Sequence, residues 1–203
     1  MTDTAIREMV LEALWAMHRV EVAAVLTGIV YVILAARENI WCWFFGIISA
    51  GLSIYLFIIS RLYAESVLYF YYVLAGIYGW YAWRKRSDNN ELKISVWPIS
   101  YHLLALLLGV ILSFGLATLL RTYTDAALPL VDSHTTIFSF IATFMVTRKV
   151  LENWLYWIVI DAVSVWLYWS RDLYLYAILM LAYSIIAVWG LLAWKKQYGK
   201  EVI

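Results

Sequence analysis

Trp154, Trp157, Asp161, Ser164 and Tyr168 follow the spacing i, i+3, i+7, i+10, i+14, which places all five on one face of a helix. Two indoles and a carboxylate on one wall suit a flat heterocycle, because aromatic faces stack on rings and attract cations by roughly 0.5–2 kcal/mol per desolvated contact. Asp161 interrupts an otherwise uncharged run over 153–170. An ionisable group at such depth in a membrane costs on the order of 3 kcal/mol, so it is expected to face a cavity or a partner. Its plainer role is a structural hydrogen bond to a neighbouring helix. Trp154 also has a plain role, since Trp41, Trp83 and Trp194 sit near the same helix ends as an interfacial belt would. Trp157, one turn deeper, is the stronger ligand candidate.

A second face carries Tyr69, Tyr72, Gly76, Gly79 and Trp83. The glycines permit close helix approach, and the tyrosines serve equally as hydroxyl donors to a ligand or as packing. Ser49 and Ser53 are weaker candidates, because serine readily bonds its own helix backbone. His18, His102 and His134 fall in different segments, with no His-x-x-x-His pair, phosphate-binding loop or nucleophile elbow. The motifs of an enzyme are missing, and neither a metal nor a cofactor is implied. His134-Thr135-Thr136 is a possible gate or binding element, though an interfacial histidine more often caps a helix. The single cysteine, Cys42, lies in an apolar run and reads as a packing residue.

Hydrophobic residues make up 65% of the chain and charged residues 14%, a composition that water does not solvate in a domain of 203 residues. The natural partner is the lipid bilayer. A net charge of +1 gives no field that would favour nucleic acid. Uncharged runs over 22–36, 41–60, 66–83, 94–120, 133–147, 153–170 and 173–194 predict seven transmembrane helices, since hydrocarbon forces each span to satisfy its own backbone. Residues 1–19 lack the pattern of a signal peptide and show apolar positions at helical spacing, as an interfacial helix does. Ten of the fifteen Lys and Arg residues fall on the face opposite the N-terminus, which the positive-inside rule assigns to the cytoplasm.

A shift of 111 residues without a gap matches Arg37 to Arg148, Trp43 to Trp154, Tyr72 to Tyr183, Gly79 to Gly190 and Trp83 to Trp194. The shift spans an even number of helices, so the two halves run parallel and are related by an axis along the membrane normal. The chain divides into an interfacial helix at 1–19, a first three-helix repeat with its cytoplasmic loop at 20–93, a connecting helix at 94–130, and a second repeat with the C-terminus at 131–203. The first and fifth runs hold only fifteen uncharged residues each, and such paired short spans point to a central aqueous site.

Ile77-Tyr78-Gly79-Trp80-Tyr81-Ala82-Trp83, Thr147-Arg148-Lys149 and Glu152-Asn153-Trp154-Leu155-Tyr156-Trp157 resemble the PnuC family of vitamin transporters, the last segment containing its Trp-x-x-Trp element. The resemblance implies a seven-helix, three-plus-one-plus-three, SWEET-like fold, usually a homotrimer, in the bacterial inner membrane. It implies facilitated diffusion of a water-soluble vitamin through a site that would include Trp154, Trp157, Asp161, Ser164, Tyr69, Tyr72 and Ser49. The nicotinamide riboside branch typically has Asn at the positions of Asp161, Gly76 and Ser49 and Gln near Tyr69. With those amides replaced, the sequence points first to thiamine, the cargo of the related PnuT branch, whose aminopyrimidine donates to a carboxylate. Nicotinamide riboside is the alternative, followed by riboflavin or a deoxynucleoside; a non-transporting membrane sensor is the reading from a different class.

Overall fold

The computed structural model describes residues 3–59, 63–84, 92–124, 128–170 and 174–201, with side-chain surroundings for 19–59, 66–84, 92–124, 128–167, 169–170 and 177–200. Seven helices account for nearly all of them: α1 (Asp3–Ala36), α2 (Trp41–Ile59), α3 (Tyr63–Arg84), α4 (Ile99–Tyr123), α5 (Pro129–Thr147), α6 (Asn153–Trp169) and α7 (Tyr174–Glu201). Most of the polar loop at 84–93, Arg61, Arg171 and the side chain of Tyr168 lie outside the described residues.

Three boundaries differ from the sequence reading. From Asp3 onward the segment expected as a separate interfacial helix is continuous with the first span, since α1 runs unbroken to Ala36; no glycine or proline separates the two. The connecting helix begins at Ile99, because Pro98 holds the preceding residues extended and Ser95 forms a parallel bridge with Val150. The fifth span is not short. Pro129 opens α5 in the first helical turn, where its missing N–H is harmless, and the helix reaches 19 residues.

Among the described residues, five helices hold stretches long and apolar enough to cross a membrane, at Arg19–Ala36, Trp41–Ile59, Ile99–Tyr123, Pro129–Thr147 and Ala177–Lys200. Helix α6 is apolar but shorter, and α3 is diluted by tyrosine. Both are nevertheless built into the bundle: α3 packs on α2 and α5, and α6 on α5 and α7.

Helix pairing follows the repeat. Helix α1 packs on α2 and α2 on α3, as α5 packs on α6 and α6 on α7, and the halves meet where α1 touches α7 and α3 touches α5. Exchanging α1–α3 with α5–α7 leaves that set of contacts unchanged, as a two-fold relation between parallel halves requires. Helix α4 packs against α5.

The same register holds in detail at one end of the bundle. Trp43 and Trp83 meet edge to face at 5.3 Å, and Trp154 and Trp194 do so at 5.5 Å. Gly79 and Gly190 make room for Trp43 and Trp154, whose rings a Cβ at either glycine would strike. Helices α1 and α5 end alike, with Asn39 N–H on Leu34 O and Val150 N–H on Met145 O, both at 2.9 Å. These six-to-one bonds place Glu38 and Lys149 in the left-handed region, at φ 55° and 51°. A non-glycine residue there costs roughly 1–2 kcal/mol.

Candidate substrate site

Between the halves lies a cavity of about 290 Å³ walled by α1, α2, α3, α5, α6 and α7. Trp154, Trp157, Asp161, Ser164, Tyr69, Tyr72 and Ser49 all lie on its wall. The turn at Lys149-Val150 aims the start of α6 at this cavity: Asn153, fully buried, donates its side-chain N–H to Val150 O at 2.6 Å and fixes the first turn. Trp154 follows, buried against Trp194, and Trp157 comes three residues deeper.

Asp161 is 6% exposed and, among the described residues, makes no hydrogen bond or ion pair. No Lys or Arg is among the described residues lining the cavity. A buried carboxylate without a counter-charge argues for a cation or a strong N–H donor as its occupant. The serines are quieter. Ser164 donates to Ile160 O at 2.9 Å in its own helix, and Ser49 donates to Ala24 O at 2.8 Å, tying α2 to α1. Each keeps acceptor capacity for a ligand. Tyr69 and Tyr72 stack edge to face at 5.2 Å, and Phe57 lies 5.1 Å from Tyr69, so these rings form an aromatic flank on the α3 side.

The cavity also contains residues that the sequence reading did not single out as ligands: Tyr31, Trp43, Ser139, Thr143 and Tyr183. A signal existed for most. Trp43 and Tyr183 are the repeat partners of Trp154 and Tyr72, so carrying the candidate site through the 111-residue shift reaches them. Thr135, Ser139 and Thr143 recur every four residues, a hydroxyl stripe along one face of α5. Thr135 and Thr136 line the cavity, whereas His134 does not cap the helix: its ring bonds back to Leu130 O at 2.8 Å within α5.

The two halves contribute unlike chemistry to this symmetric frame. Where the first half presents Gly28, Val32, Gly46 and Ala50, the second presents Ser139, Thr143, Trp157 and Asp161. One wall is therefore recessed and apolar, and the facing wall carries hydroxyls, an indole and the carboxylate. The hydrogen-bonding and stacking groups of the cavity are thus unevenly divided between its two walls.

A family model described as nicotinamide mononucleotide transporter matches residues 18–196. The chain belongs to this family. It is 28% identical over 201 residues to the nicotinamide riboside transporter PnuC of Escherichia coli, covering 86% of this chain and 84% of that one. It is 26% identical to PnuC of Neisseria mucosa, covering 85% and 70% of the two chains. The riboflavin/roseoflavin transporter RibM of Streptomyces davaonensis is 20% identical over 82% of this chain and 80% of its own. Among solved structures, that of the vitamin B3 transporter PnuC superposes with a TM-score of 0.73 at 25% identity, covering 89% of this chain and 82% of the other. These relatives are transporters, in agreement with a multi-pass membrane carrier and not an enzyme.

Proposed function

We propose that the protein carries a positively charged, ring-bearing vitamin down its gradient across the bacterial inner membrane, with nicotinamide riboside as the first candidate. The observation that carries this reading is the cavity between the repeats, where Trp154, Trp157 and Asp161 share a wall with the hydroxyl stripe Thr135, Ser139 and Thr143. A pyridinium stacks on indole, its charge is answered by the carboxylate, and a ribose suits the hydroxyls. The named relatives support nicotinamide riboside better than thiamine, which the sequence reading put first.

Thiamine stays as the second reading on one observation. Asp161 offers acceptors alone where an amide would offer both a donor and an acceptor, and an aminopyrimidine with a thiazolium fits acceptors. The reading includes an N-terminus outside, a cytoplasmic C-terminus and three copies per assembly.

A thermal-shift panel of nicotinamide riboside, thiamine, riboflavin and a deoxynucleoside on purified protein separates these cargoes, because only a ligand of the folded state raises Tm by mass action. Nicotinamide riboside is expected to give the largest shift, and tracer uptake into liposomes should follow the same order. A larger shift with thiamine would reverse the ranking, and stabilisation without uptake would point to a sensor.

A further inference from the structure

The cavity is sealed at one end, and the seal is made by the two halves gripping each other. At the end of the bundle where α1 turns into α2 and α5 into α6, the buried core gathers Ala35, Cys42, Trp43, Val146, Trp154 and Trp194. Four of these (Ala35, Trp43, Val146 and Trp154) also line the cavity, so they form its floor. Two indole bonds cross from half to half through this layer: Trp83 N–H to Thr147 O at 3.2 Å, and Trp194 N–H to Ala35 O at 3.1 Å. Each binds the last turn of the opposite half's first helix, with acceptors one residue apart in the repeat register.

Beside these bonds, Glu38 and Lys149 meet at 2.8 Å. They are 111 residues apart and hence repeat-equivalent. Two-fold partners meet only near the axis that relates them. Both stand in the left-handed turn position that usually falls to glycine, so each turn carries a charged side chain where backbone geometry alone would prefer none. Lys149 also lies 4.9 Å from the centroid of the Trp83 ring, which couples the ion pair to the indole bonds.

We propose that Glu38 and Lys149 are the latch of the gate at this end of the transport path, and that the pair must part before cargo can leave through the Trp43, Trp83, Trp154 and Trp194 layer. The assignment rests on the cavity as the transport site but not on the identity of the cargo. Opposite charges on the two turns are what an even repeat lacks by itself; like charges at the axis would repel and hold the gate ajar.

Cys42 supplies the test, being the only cysteine of the chain and fully buried in the sealed layer. In sealed vesicles of both orientations, a membrane-impermeant maleimide should label wild-type Cys42 slowly from either side. Glu38→Gln and Lys149→Met should each speed labelling about fivefold from the side of the Lys- and Arg-rich helix ends, the population shift that loss of a partly screened ion pair gives. The double variant Glu38→Lys with Lys149→Glu restores opposite charges and should return both labelling and tracer counterflow towards wild type. Single variants that unfold earlier yet label at the wild-type rate would overturn the latch and leave a structural pair. Equal, fast labelling of the singles and the double would overturn it too, since packing and not charge would then be responsible. If the singles fail to accumulate, the double decides: wild-type counterflow supports the latch, and a folded double without counterflow overturns it.

Discussion

Among the described residues lining the cavity, Asp161 is the one carboxylate and there is no Lys or Arg, and its repeat partner is Ala50. That asymmetry makes it the residue on which cargo selection should turn. Asp161→Asn keeps the size and one acceptor but removes the charge, and loss of a charge-assisted hydrogen bond costs roughly 1.5–3 kcal/mol. Affinity for a cationic cargo should fall about tenfold to hundredfold, measured by calorimetry, while Tm without ligand stays near wild type. Trp157→Ala should also weaken binding, and Trp157→Phe should do so less because a π-face remains. Normal affinity combined with an earlier unfolding midpoint in Asp161→Asn would return the residue to a structural role. Seven of the candidates stand on the cavity wall, whereas Ser53 bonds Ser49 O in its own helix and is not among the described lining residues. Helical spacing grouped the α3 and α6 candidates on common faces because a membrane helix turns its ionisable residues towards a cavity or a partner. Tyr31 escaped that reading, since one tyrosine in a Val- and Leu-rich run carries no period.

Between elements, the packing is set by small residues opposite large ones. Gly190 lies where a Cβ would come within 2.8 Å of the Trp154 ring, and Trp154 is itself held by Trp194. The indole has no room to yield, so Gly190→Ala forces either the ring off its rotamer or α7 away from α6. Overpacking of this kind costs about 1–3 kcal/mol, and Tm should drop by several degrees, with Gly79→Ala behaving alike against Trp43. By contrast, a Cβ at Gly115 in α4 meets nothing within 4 Å, so Gly115→Ala should be neutral or slightly stabilising in a thermal melt. A drop at Gly115 as large as that at Gly190 would contradict the notch argument. The repeat matched the two glycines to each other and the two indoles to each other, but the pairing of glycine with indole appears only in the packing. The late start of α4 was readable only at Pro98, because nothing in the apolar Ile94-Ser95-Val96-Trp97 announces a bridge to Val150.

Across the whole molecule, the 111-residue register visible in the sequence survives as matched turns, matched Trp pairs and a contact pattern that maps onto itself. The crossing bonds were not readable, because Ala35 and Thr147 take part through backbone oxygens that any residue would supply. The frame favours rocking of two halves about a shared cavity, and the composition of that cavity decides what drives it. An ion-coupled carrier needs a site whose occupancy by the ion changes along with that of the cargo, and among the described residues the cavity offers one carboxylate and no cluster able to hold a metal ion. If that carboxylate is occupied by the cargo's own positive charge, it is unavailable to a proton in the loaded state, and the gradient of the cargo alone supplies the free energy. Tracer counterflow in sealed liposomes should therefore be unchanged by a protonophore and by replacing sodium with potassium, with no internal trap present. Asp161→Asn should slow counterflow in proportion to its loss of affinity without making it sensitive to either treatment. Collapse of accumulation on adding the protonophore to wild type, but not to Asp161→Asn, would assign the carboxylate to proton transfer and rule out uniport.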